Sequence, residues 1–120
     1  MRALIQRVES AQVEVGGTVV GSCGAGYLVL LGVAPTDDEA LAERLWRKVA
    51  ALRICADDAG KTNRSLVDTG GDVLVVSQFT LYADTKSRRP GFSGAAKPDI
   101  AIPLYEKFMA ECAGRGFEVQ

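Results

Sequence analysis

Ser77, Gln78 and Thr80 stand in the stretch SQFTLYAD (77–84), directly after the apolar run Val73, Leu74, Val75, Val76. A strand that only filled a core would have no use for two hydroxyls and an amide in four positions. Such side chains donate and accept hydrogen bonds without titrating near neutrality. The chemistry open to them is positioning a substrate and stabilising charge that develops during reaction. Thr80 is a nucleophile in type, but a weak one without an adjacent base. The sequence contains no histidine. That removes Ser-His-Asp and Cys-His machinery as self-contained options, and most catalytic zinc sites. The expectation is a site with neither metal nor cofactor. Strand alternation sends Ser77, Phe79 and Leu81 to one side and Gln78, Thr80 and Tyr82 to the other. Both sets reach one pocket only at a bulge or a strand end. The plainer alternative leaves Gln78 and Thr80 facing solvent on an ordinary strand and Phe79 filling the core.

The elements that must carry these residues are legible from periodicity. RALIQRV (2–8) and AQVEV (11–15) alternate as half-buried strands do. Gly16-Gly17 is a hairpin signal, with TVVGS (18–22) returning. GYLVLLGV (26–33) is a nearly continuous apolar run, as in a strand buried on both faces. The period then lengthens. Thr36 and Glu39 have the spacing of a capping box, Asp37 and Asp38 crowd a first turn, and Leu41, Leu45, Val49 and Leu52 form a helical stripe. These predict a helix over 37–51 with Trp46 packed beside its stripe. RICAD (53–57) suits a short strand, and DDAGK (57–61) and DTGGD (68–72) are turns. The strand beginning at Val73 should run to about residue 83. A second helix is predicted over 99–113, from Leu104, Phe108 and Cys112 with Tyr105 and Met109 beside them, Pro103 near its start and Gly114 as its cap. GFEVQ (116–120) could open a further strand. The expected fold class is α+β, with two helices packed outside mostly antiparallel sheets, in one domain over 1–120.

Bulk properties agree with a globular chain: 48% hydrophobic, 24% charged, net charge −1. No apolar run has the ~20 residues of a membrane span, and the N-terminus lacks a signal-peptide core. Cys23, Cys55 and Cys112 have neither disulfide nor metal spacing and read as small buried residues in a reducing cytoplasm. The total charge does not indicate a strongly basic nucleic-acid binder. The segment KSRRPGFSGAAK (86–97), however, holds Lys86, Arg88, Arg89 and Lys97 and no acidic residue. It is either a solvated loop or a local contact for a phosphate backbone. Phe92 within it could stack on a base or anchor the loop.

The stretch GGDVLVVSQFTLYADT (70–85) resembles the signature of the D-aminoacyl-tRNA deacylases. MRALIQRV, GYLVLLGV, RPGFSGAAKP (89–98) and PLYEKF (103–108) extend the likeness through most of the chain. The resemblance implies a cytoplasmic homodimer with a barrel-like sheet arrangement. It would hydrolyse the ester that joins a D-amino acid, or glycine, to the terminal adenosine of tRNA. The neighbouring 2′-hydroxyl of the RNA would assist. By the same resemblance Ser77, Gln78 and Thr80 belong to the reaction centre and Phe79 to the adenosine site. Ala101 lines the adenosine pocket, and Arg7 braces the pocket and a motif inserted by the partner. The plainer alternative for Arg7 is a charge on a strand surface. Lys86, Arg88, Arg89 and Lys97 are candidate phosphate contacts. The family's Gly-cisPro motif, which excludes L-amino acids, has no counterpart here: none of Pro35, Pro90, Pro98 and Pro103 follows a glycine. The chain is thus expected to be incomplete at its C-terminal side relative to that family. This raises a second possibility, an inactive module that binds tRNA or nucleotide.

Overall fold

The computed structural model describes residues 1–114. Its centre is a three-stranded sheet of β1 (Arg2–Val8), β4 (Gly26–Gly32) and β7 (Asp72–Ser77), in the order β1-β4-β7. β1 runs antiparallel to β4, with Arg2 opposite Gly32 and Arg7 opposite Tyr27. β7 runs parallel to β4, with Leu31 opposite Ser77. A parallel neighbour requires a long crossover. Here α1 (Glu39–Ala51), the ribbon β5–β6 (Cys55–Ala56 and Thr62–Arg64) and the short α2 (Leu66–Thr69) make that connection. β2 (Ala11–Val15) and β3 (Thr18–Cys23) form a separate hairpin. Its turn residues Gly16 and Gly17 have φ of 58° and 80°, as the Gly-Gly signal requires.

The fold class is therefore mixed α+β, and three details differ from or refine the expectation. The described residues form three distinct sheets and not a closed barrel, and the central β4–β7 pair is parallel. Helices number three rather than two among the described residues: α2 is a single turn closed by a Ser65–Asp68 capping box and by Gly70 in the left-handed region.

One face of the sheet is dry. Tyr27, Val29 and Leu31 of β4 and Val73 and Val75 of β7 meet Trp46, Val49 and Ala50 of α1 and Phe108 and Cys112 of α3 (Pro98–Gly114). The Trp46 and Phe108 rings meet edge to face, 5.8 Å between centroids. The opposite face is only half-covered: Leu28 and Leu30 are half-buried, and Leu4 is exposed. Gly26 lets β4 and β7 close up at their start. A Cβ there would lie 1.9 Å from the Asp72 carbonyl oxygen.

The start of α1 differs from the capping-box expectation. Asp38 is the cap, its Oδ1 accepting from the Leu41 N–H at 2.9 Å. Asp37 turns back to accept from the Ala34 N–H and to pair with the Met1 ammonium. With Asp37 taken by that turn, the next aspartate caps, and the helix begins at Glu39. The buried stripe is Ala42, Trp46, Val49 and Ala50, while Leu41, Leu45 and Leu52 are half-buried. The indole, the largest group on the helix, takes the centre of the interface and rotates the stripe toward itself. In α3, Leu104, Phe108 and Cys112 are buried as the spacing predicts. The expected strand at 116–120 lies outside the described residues. No helix among the described residues is long and apolar enough to cross a membrane.

Only Cys112 is buried; Cys23 and Cys55 are partly exposed, against the expectation that all three fill the interior. Burial pushes the Cys112 thiol up to about 12, which denies it thiolate at neutral pH. A chromogenic disulfide reagent should therefore label two thiols in the native protein and the third only after denaturation. Labelling of all three at one native rate would contradict this packing.

Candidate active site

β7 stops at Ser77, well short of the predicted end near residue 83. The Gln78 N–H still bonds to β4, donating to the Leu31 carbonyl at 2.8 Å. The chain then coils into a 3-10 turn, Phe79–Tyr82, closed by Leu81 N–H to Gln78 O and Ala83 N–H to Thr80 O. The reason is visible at Gly32, at the end of β4. A Cβ there would lie 3.1 Å from Leu81 Cβ and 3.2 Å from both Gln78 O and Tyr82 Cδ2. The missing side chain is the floor on which the turn rests.

The strand end resolves the alternation problem. In a continuing strand Gln78 and Thr80 would merely share a face. In the turn the Gln78 Nε2 amide donates to Thr80 Oγ1. Both are half-buried, and Ser77 is exposed beside them. Ser77 also lines a groove of about 340 Å³ with Val13, Val20 and Tyr105. Tyr105 fixes this edge of β7 by donating to the Val75 carbonyl at 2.7 Å.

Phe79 is not a core residue. It is 57% exposed and meets Phe92, 40% exposed, edge to face at 5.4 Å. This contact brings the basic loop onto the turn. Asp84 and Gly91 exchange backbone hydrogen bonds at its neck. Asp84 Oδ1 accepts from the Lys86 N–H, and Ser87 Oγ donates to the Arg89 carbonyl. Lys86, Arg88, Arg89 and Lys97 are exposed, and none forms an ion pair among the described residues. Lys86 and Arg89 border a shallow cavity of about 240 Å³ with Asp84 and Ser93. The loop returns to the sheet where the Ala96 N–H donates to the Val33 carbonyl, which sets the start of α3 at the same end of β4. Ala101 lies half-buried in the first turns of that helix.

Arg7 is not brought to this cluster. Its partner Tyr27 is four positions along β4 from Leu31, the partner of Ser77; that is roughly 13 Å of strand. Arg7 donates to the Ile54 carbonyl at 2.8 Å and lines a separate cavity of about 550 Å³ with Glu9, Cys55 and Thr69.

Two residues that shape the turn carry no signal in the sequence, Gly32 and Arg2. Arg2 Nη1 donates to the Leu81 carbonyl at 2.7 Å, and its guanidinium lies 4.4 Å from the centre of the Tyr82 ring. In the sequence Arg2 is only one polar position of an alternating strand. Burial, reinforced by the Asp37 carboxylate, raises the Tyr82 phenol, and the Arg2 charge opposes this. Ser77, Gln78 and Thr80 themselves offer two hydroxyls and an amide, which are neutral donors and acceptors.

A mixed α+β domain that presents an amide and two hydroxyls on a strand-end turn, beside an aromatic pair and a basic loop, defines a class suited to positioning chemistry. Comparison with known proteins specifies it further. Residues 4–120 match the family described as D-Tyr-tRNA(Tyr) deacylase. The chain is 54% identical to the D-aminoacyl-tRNA deacylase of Symbiobacterium thermophilum and 56% identical to that of Thermus aquaticus, covering 100% of this chain and 80% of each relative. Among solved structures it is similar to the c-Myc DNA Unwinding Element Binding Protein, with a TM-score of 0.89 and 36% identity over 95% of this chain and 77% of that one. A probable eukaryotic D-amino acid tRNA deacylase shares the fold, with a TM-score of 0.84 at 18% identity over 97% and 69% of the two chains. The chain belongs to the D-Tyr-tRNA(Tyr) deacylase family.

Proposed function

We propose that this chain, as one domain, hydrolyses the ester of D-aminoacyl-tRNA, and of mischarged glycyl-tRNA, as a proofreading step in translation. Family membership supports the reaction. The observation that carries the site is the junction of Gln78 and Thr80 at the end of β7. Water adds to the ester carbonyl, the carbonyl electrons move onto oxygen, and the bond to the ribose oxygen breaks as that oxygen takes up a proton. The substrate's adjacent 2′-hydroxyl assists. Ser77, Gln78 and Thr80 hold the carbonyl and stabilise its developing charge. The inactive binding module is not favoured, because relatives named deacylases match the full length of this chain.

In this reading Phe79 and Phe92 receive the terminal adenosine, with Ala101 leaving room for the sugar. The pair is already exposed and in contact, which supports a stacking platform. The protein acts in the cytoplasm, where charged tRNA is used, and as a homodimer.

The test is release of amino acid from D-Tyr-tRNA and L-Tyr-tRNA. D-selective turnover is the expected result, and equal turnover or none would overturn the proposal. The basic loop makes a separate prediction. Converting Lys86, Arg88, Arg89 and Lys97 to Gln together should weaken tRNA binding and flatten its salt dependence. For every phosphate that the variant no longer neutralises, the slope of log K against log salt should shrink by about 0.7. An unchanged slope would show that the loop does not touch the backbone.

A further inference from the structure

We propose that Arg2 is a positioning residue for the reaction, acting through the 3-10 turn rather than on substrate. The inference rests on the reading of Gln78 and Thr80 as the reaction centre.

A four-residue 3-10 turn is held by few and poorly directed hydrogen bonds. This one is pinned at its start by the Gln78 N–H on Leu31 O and supported from below by Gly32. None of its four residues is in the buried core, so core packing does not hold its far end. Arg2 does. It stands opposite Gly32 in the β1–β4 register, level with the turn. From there its guanidinium takes the Leu81 carbonyl and at the same time covers the Tyr82 ring. A planar fork that donates in its plane and stacks through its face can do both; a lysine ammonium supplies a charge without the fork. Holding Leu81 and Tyr82 against Gly32 fixes the curvature of the turn. That curvature is what brings the Gln78 amide onto Thr80.

The hydrogen bond and the ring contact of Arg2 fall on Leu81 and Tyr82, not on Ser77, Gln78 or Thr80. Its loss should therefore change rate rather than binding. Arg2→Leu is expected to lower kcat on D-Tyr-tRNA by about 10-fold to 100-fold, in the range produced by misplacement of catalytic groups on the order of 1 Å. KM should stay within about 3-fold. Arg2→Lys should recover part of the rate, and Tyr82→Leu should lower it less than Arg2→Leu. Combining Arg2→Leu with Tyr82→Leu should cost less than the sum of the two, because the two side chains act on each other. Trp46 emission confirms that each variant is folded, and Arg2→Lys carries the test if Arg2→Leu does not fold. A parental kcat in folded Arg2→Leu, or in folded Arg2→Lys if only that variant folds, overturns the proposal. Gln78→Ala is assayed alongside. If it loses activity while the folded Arg2 variants do not, the inference alone fails. If both leave the rate intact, the assignment of the reaction centre fails and the inference falls with it.

Discussion

Gln78→Ala should remain folded and lose about 10²-fold to 10³-fold in kcat on D-aminoacyl-tRNA, the scale seen when one preorganised donor to a developing oxyanion is removed. Its backbone is held independently of its side chain, by the N–H on Leu31 O, so truncation deletes the amide without releasing the turn. The loss has two parts: a donor disappears, and Thr80 Oγ1 is deprived of the partner that orients it. Thr80 variants separate positioning from covalent attack. If the hydroxyl positions, Thr80→Ser should stay near parental activity and Thr80→Val should fall by roughly 10-fold to 100-fold. If it attacks, Thr80→Val should fall to background, near the 10⁶-fold loss seen when a nucleophile is deleted. Single-turnover rates across these three variants decide the matter, and parental rates in all of them would remove the turn from the mechanism.

Phe108→Ala should be among the most destabilising simple truncations of the core. Phe108 is fully buried, its ring stands edge-on to Trp46, and it joins α3 to both α1 and the sheet. Deleting a buried aromatic ring costs about 3–5 kcal/mol, against a total of ~5–15 kcal/mol for a typical domain. In urea the midpoint should fall by roughly 1–5 M for a slope of about 1–3 kcal/mol/M. Trp46 is the single tryptophan and lies at the same contact, so its emission reports the transition directly. A midpoint within about 0.3 M of the parent would mean that the α1–α3 interface contributes little, contrary to its burial.

Local signals were readable wherever one residue type had one physical use. The Gly16-Gly17 turn, the strands β1 and β2, and the spacing of Leu104, Phe108 and Cys112 all appear in the structure as expected. Legibility ended where several residues competed for one role. Three acidic residues follow Thr36, and which of them capped α1 depended on what Ala34 and Met1 required of Asp37. The stripe of α1 depended on where the indole found room. Likewise, the apolar residues after Ser77 suited a strand, and only the space above Gly32 turned them into a 3-10 turn. Arg7 illustrates the same limit at longer range, since strand membership was plain while its distance from Ser77 was not.

The α+β class and the two long helices were legible in the chain itself, and the polar motif stood out as the candidate site. These follow from composition and from periods of two and of about 3.6 residues, which are properties of neighbours in the chain. Tertiary structure alone decided that β4 and β7 are parallel, that β7 ends at Ser77, that Gln78 reaches Thr80, and that Phe79 meets Phe92. Each is a contact with a partner distant in sequence or a backbone shape imposed by one. Gly32 and Arg2 show this most directly: one side chain is absent, the other reaches across from the neighbouring strand, and both meet the turn that carries the candidate site.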